Sequence, residues 1–203
     1  MTPNYDKFPK VEVSGSSGAC VRGWEAVTAR LAEAMTARAV LTVECYTGVF
    51  IDEILRALSM VFPEALVLTS AEAFHEAEEI DRRVAPFNGG DDPVFGRLTS
   101  LRMSDFLDPD EVESLRAKIE LSDASQVILV GPGASLIHPG DVLVYADLAR
   151  WEAQMRMRRN EISNLGIENR ELKWSLQYKR AFFTDWRVCD ELKRELMNRW
   201  DFV

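Results

Sequence analysis

The 203 residues carry 24 Lys and Arg against 33 Asp and Glu, a formal charge of −9, and are 47% hydrophobic and 28% charged. This size and balance suit one α/β domain with a full core, and the acidic surface argues against general nucleic-acid binding because it repels phosphate backbones. Cys20, Cys45 and Cys189 lie far apart, which points to a reducing compartment rather than a disulfide framework, and His75 and His138 leave no Cys/His cluster with metal-ligand spacing. Met1–Lys10 has no apolar core of a signal peptide, and every apolar run is too short to span a bilayer. A cytoplasmic protein without a membrane or nucleic-acid partner is the expectation.

Apolar residues at helical spacing (Trp24, Val27, Leu31, Met35) predict a surface helix over Val21–Ala39. Ala39–Val43 reads as a strand, followed by the loop Glu44-Cys45-Tyr46-Thr47-Gly48-Val49 and a helix over Asp52–Met60 that Pro63 closes. Ala65–Leu68 is a second short strand and Ala71–Val84 a polar helix or loop. Pro86–Pro93 is the clearest break in the chain. Asp108-Pro109 caps a helix over Asp110–Glu120.

Gln126–Val130 is the best candidate for a buried strand, and it ends at Gly131-Pro132-Gly133. That turn stands where open α/β sheets bind ligands, and equally serves as a plain tight turn. Asp141–Ala146 is the next strand, followed by a long charged helix over Leu148–Asn164 and a last helix over roughly Asp185–Trp200. The five tryptophans (Trp24, Trp151, Trp174, Trp186, Trp200) read as core or interface aromatics. Strands alternating with helices imply a three-layer α/β fold, with a mainly parallel sheet covered on both faces. Residues 1–203 read as one domain with an N-terminal extension over 1–20. The closing Trp200-Asp201-Phe202-Val203 looks like the opening of another strand, as expected of the front part of a longer protein.

This order of elements resembles the uridine kinase and phosphoribulokinase branch of P-loop kinases. Four places carry the resemblance: the strand, loop and helix of Ala39–Leu58; Glu72-Ala73-Phe74-His75; Gln126–Gly131; and Tyr145-Ala146-Asp147 followed by Arg156-Met157-Arg158-Arg159-Asn160, where the family has a lid helix with Arg-x-x-Arg-Asp. Tyr5-Asp6-Lys7-Phe8-Pro9 together with Tyr145–Asn160 also resembles the front module of bacterial class I mannose-6-phosphate isomerases. That second resemblance implies a Zn²⁺-dependent parent interconverting mannose 6-phosphate and fructose 6-phosphate. Its metal ligands would lie in a C-terminal cupin-type domain beyond Val203.

The phosphate loop itself departs from the family. A working G-x-x-x-x-G-K-[ST] loop cradles phosphates with backbone N–H groups, neutralises them with Lys and holds Mg²⁺ with Ser or Thr. Aligned on the strand, Glu44 replaces the first Gly, Gly48 stays within the loop, Val49 replaces the second Gly, Phe50 the Lys and Ile51 the hydroxyl. One unit charge ~4 Å from a phosphate is worth roughly 4 kcal/mol at surface-like dielectric, so losing Lys and adding Glu44 shifts the preference of the site against nucleotide, and both changes obstruct conventional ATP binding.

Glu72 is a candidate general base by the resemblance, or a solvated or helix-terminal charge by its own chemistry. Arg156 and Arg159 share a helix face and could hold a phosphosugar, or could serve as surface ion-pair partners, with Glu152 and Arg156 one such pair. Arg158 points away from that face. The favoured expectation is a non-catalytic regulatory or structural kinase-like module without a cofactor of its own. The alternatives are a small-molecule (nucleoside or sugar) kinase with an unusual loop, and a sugar-phosphate sensor.

Overall fold

The computed structural model describes residues 6, 9, 10, 12, 14–35, 38–90, 92 and 94–203. Most of the Tyr5–Pro9 motif and part of the Pro86–Pro93 break therefore lie outside the described residues. Four strands form one parallel sheet: β1 (Ala39–Cys45), β2 (Leu66–Thr69), β3 (Gln126–Gly131) and β4 (Val142–Ala146), in the order β2-β3-β1-β4. The register sets Ala39 opposite Gln126, Leu41 opposite Val142 and Leu66 opposite Val127. Beyond β4, Phe202 makes an isolated parallel bridge to Val144. The Asp201 carboxylate accepts the Leu143 N–H at 2.8 Å.

Side chains alternate across β1, so each face of the sheet carries its own core. Leu41, Val43 and Cys45 pack with Leu31 of α1 (Trp24–Ala34) and with Ile54 and Leu58 of α2 (Ile51–Val61). On the other face Val127 and Leu129 meet Leu115 and Ile119 of α4 (Pro109–Glu120), together with Ala134 and Ile137 of the one-turn α5 (Ala134–Ile137). Leu143 and Tyr145 of β4 join a third cluster. It includes Ile80 and Val84 of α3 (Ala77–Asn88), Met157 of α6 (Arg150–Arg158) and Trp186 of α8 (Trp186–Leu196). This is a three-layer α/β fold with a parallel sheet between helices.

The helix signals act as expected where the chemistry is local. Asp108 caps α4 by accepting the Asp110 N–H at 2.9 Å, with Pro109 in the first turn. Pro86, however, does not break α3. It sits exposed in the last turn, where the carbonyl freed by its missing N–H meets solvent, and left-handed Gly89 ends the helix. The long helix expected over Leu148–Asn164 stops at Arg158, and Asn160 takes a positive φ of 55°. Residues 161–170 then continue as irregular chain.

The last helix begins earlier than its apolar pattern suggests. α7 (Trp174–Arg180) continues through a π-helical segment, Ala181–Asp185, into α8, which itself ends at Leu196 rather than Trp200. The predicted first helix shrinks to α1. Trp24, Trp151 and Trp174 are exposed rather than buried, while Trp186 is a core residue.

Candidate functional site

Ligands of parallel sheets bind beyond the carboxyl ends of the strands. At that end the loop Tyr46–Phe50 joins β1 to α2, and a cleft of about 1030 Å³ opens between this loop, the Glu72–Ala77 turn and residues 161–168.

The loop is engaged by its own protein. The Tyr46 N–H donates to the Ala146 carbonyl at 2.9 Å and the Val49 N–H to the Tyr46 carbonyl at 3.2 Å. The Thr47 N–H faces the Cys189 thiol. Gly48 has a φ of 89°, which favours glycine, and a Cβ there would stand 2.8 Å from Ile162 Cδ1 and 3.2 Å from Leu148 Cδ2. Arg156 of α6 closes the loop from above: its Nη1 donates to the Gly48 carbonyl at 2.7 Å, and its guanidinium lies 3.8 Å from the centre of the Phe50 ring. Arginine stacked on an aromatic face is a favourable cation–π contact. In addition, α2 carries Asp52 and Glu53 in its first turn, so the positive end of that helix already has its anions.

Glu44 is not part of this loop. It is the sixth residue of β1, 1% exposed, and its side chain leaves the sheet on the α5 face, away from the cleft. Its two oxygens accept N–H bonds from Gly133 at 2.6 Å and Ser135 at 2.9 Å. Burial pushes its pKa up to about 7, against the lowering effect of those two backbone donors. The expectation that Glu44 obstructs a phosphate path is thus corrected by strand alternation: Val43 and Cys45 face α2, and Glu44 faces the opposite layer. Val49 and Phe50 lie in the cleft wall, and Ile51 begins α2.

Glu72 lies in the cleft wall on a 3₁₀ turn, Ser70–Ala73. One carboxylate oxygen accepts the Thr69 N–H at 3.4 Å, and the other pairs with Lys118 at 3.0 Å. These are the contacts of a turn-capping charge. His75 pairs with Asp108 at 3.3 Å. Asp147 pairs with Lys193 at 2.6 Å.

The arginines divide as the helix geometry predicts. Arg156 and Arg159 both reach Glu152, at 3.1 and 3.0 Å, and Arg159 also pairs with Glu161 at 2.8 Å. Hydrogen bonds from Arg156, then Arg159, hold the Glu152 carboxyl below its usual range. Arg158 instead lies 4.4 Å over the Trp174 ring.

Sequence reasoning missed the polar knot that builds the back wall of the cleft. Asn164 donates to the Asp185 carboxylate at 2.6 Å and to the Gln177 carbonyl at 3.0 Å. Arg180 binds Asp185 at 3.3 Å, Asp81 at 3.1 Å and the Leu165 carbonyl at 2.6 Å. The available signal was helical: Gln177, Arg180, Thr184 and Asp185 recur at the spacing of one helix face, a buried face that is polar.

A family described as Domain of unknown function (DUF8485) matches residues 23–203. The chain belongs to this family. No curated protein sequence matches it. Among solved structures, a candidate fructose transport system kinase from Silicibacter sp. TM1040 superposes with a TM-score of 0.56 at 12% identity, covering 86% of this chain and 95% of that one. A candidate uridine kinase from Bacillus stearothermophilus gives 0.51 at 14% identity, covering 89% and 96%. At such identities the likeness establishes the fold, that of P-loop kinases. Among the described residues no helix is long and apolar enough to cross a membrane, and no group of three or more His, Cys, Asp or Glu could hold a metal ion.

Proposed function

We propose that this DUF8485 chain is a kinase-like module that does not transfer phosphate and acts as a regulatory or structural domain. The carrying observation is Arg156, which spends its charge on the Gly48 carbonyl and the Phe50 ring, inside the space that phosphates use in a working loop. The engaged N–H groups of Tyr46, Thr47 and Val49 support the same reading, because an anion nest needs such donors free. The contacts of Arg156 and Arg159 with Glu152, Glu161 and the loop favour this reading over a phosphosugar site on the two guanidiniums. A parent resembling mannose-6-phosphate isomerase, with Zn²⁺ in a separate cupin-type domain, remains part of the proposal on the sequence resemblance alone. The length of the natural reading frame tests it.

The loop is tested by thermal melts with millimolar Mg-ATP. A ligand at 100 times its Kd adds about 2.7 kcal/mol of stability, an easily measured shift. No shift is expected, for the wild type or for Phe50→Lys, because a new lysine would not free the engaged N–H groups. A clear rise in Tm for the wild type would overturn the reading.

A further inference from the structure

We propose that a second cavity, separate from the phosphate loop, binds a small apolar α-amino acid as its zwitterion. The cavity has a volume of about 350 Å³, at the small end of the range for metabolite sites, and no residue of the 44–51 segment lines it. It lies between α3 and α7, and its two walls differ in polarity. α7 presents the cations Lys179 and Arg180, which are 3% and 4% exposed. α3 presents the acceptors Asp81 and Asn88, seven residues apart and so on one face of that helix. Ile167, Leu172 and Leu176 supply the apolar part of the lining.

Two groups in these walls lack what an amino acid carries. The Lys179 ammonium donates to the Gly90 carbonyl at 2.8 Å and to the Asp92 carbonyl, and no carboxylate of a described residue forms an ion pair with it. The Asp92 carboxylate accepts the Val94 and Phe95 N–H groups instead. Two carbonyls leave the charge of a buried cation uncompensated, and a ligand carboxylate would take the third ammonium N–H. Arg180, by contrast, already has Asp81 and Asp185. In the last turn of α3 the Asn88 Oδ1 is buried without a hydrogen-bond partner. An orphan acceptor of this kind costs free energy until a donor reaches it. The Gly90 carbonyl that holds Lys179 is two residues along the chain from Asn88, so the buried cation and the orphan acceptor share one end of the cavity. An inorganic anion would answer Lys179 and leave Asn88 orphaned. An α-carbon carries a carboxylate and an ammonium side by side, and its side chain can extend over Leu172 and Leu176.

The test is calorimetric titration of L-leucine and L-methionine into the full chain, beside L-leucinamide, which lacks the carboxylate, and 4-methylpentanoate, which lacks the ammonium. Saturable one-to-one binding of at least one of the amino acids is expected, with both analogues bound about tenfold more weakly. Asn88→Ala should weaken the amino acid about tenfold, the scale of one charged contact, and Glu111→Gln on α4, outside the cavity, should leave it unchanged. Circular dichroism melts confirm that each variant is folded, and the analogue titrations, which need only the wild type, decide the matter if one is not. No saturable heat with either amino acid overturns the proposal. So does equal affinity for either analogue, which would mean a plain carboxylate or amine site, or a folded Asn88→Ala variant that binds as the wild type does. An equal loss in Glu111→Gln overturns it as well, since that would mean diffuse attraction. The Mg-ATP melts bear on the loop alone, so the non-catalytic reading and this inference fail separately.

Discussion

Two arginine–carboxylate clusters flank the cleft, and they are built on opposite principles. Behind it, Arg180, Asp185 and Asn164 are all buried. In front, Glu152, Arg156 and Arg159 sit on the lid helix α6, where Glu152 and Arg159 face solvent. A buried pair cannot separate without leaving an uncompensated charge out of water, so it holds one geometry. An exposed cluster exchanges partners with water and salt at little cost. The back wall of the cleft is therefore fixed, while the lid over the loop is adjustable.

The largest expected effect breaks the back wall. Asp185→Ala leaves Arg180 with the exposed Asp81 as its one anionic partner among the described residues. It should lower the unfolding free energy by about 3–5 kcal/mol in urea melts. A loss below about 1 kcal/mol would erase the contrast between the clusters.

Glu44 sharpens the contrast, because it is a buried carboxylate whose hydrogen-bond partners are N–H groups rather than a cation. Its folded-state pKa of about 7 lies above the ordinary value of 4.5, so the folded state holds the proton more tightly. The stability this provides is fully present below pH 4.5 and is lost as pH rises through about 7. Its full range is on the order of 3 kcal/mol. Stability measured from pH 4.5 to 8 should fall for the wild type relative to Glu44→Gln, in which the slope from this group vanishes. Identical slopes would show that the two N–H donors outweigh burial.

Smaller effects belong to the lid. Arg156→Ala removes a charged hydrogen bond and a ring contact, and should cost about 1.5–3 kcal/mol, because Arg156 is the best buried of the lid charges. Arg159→Ala should leave stability unchanged within error at moderate salt, since its pairs are solvent-exposed. Equal losses for the two would mean that α6 acts as one electrostatic surface rather than through the Gly48–Phe50 contact.

The strands were legible because Ala39–Val43 and Gln126–Val130 are apolar runs with few other uses, and their order with the intervening helices led to the kinase-like fold. The loop was read with one error. Aligning a motif placed Glu44 by analogy, whereas the period-two alternation of Val43, Glu44 and Cys45 already set it on the far face. The residues around Asn164 and Arg180 were missed for a deeper reason. Apolar periodicity finds helices that bury oil, and α7 buries Gln177, Lys179 and Arg180 instead. The π segment that follows adds a residue to a turn, so no single period spans the helix from Trp174 to Leu196.

The register of the sheet also governs how the chain acquires its shape. β1 is a central strand, yet it finds no neighbour until β3 is available, because Ala39 pairs with Gln126 after α2, β2, α3 and α4 have been traversed. Closing so long a loop costs entropy before any pairing repays it, which makes folding slow for the domain's size. During synthesis, the ribosome releases β1 with both edges bare while the helices that follow it form locally. The mostly apolar strand from Ala39 to Cys45 is the segment most in need of protection in that interval, and pairing with β3 closes one of its open edges and pairing with β4 the other.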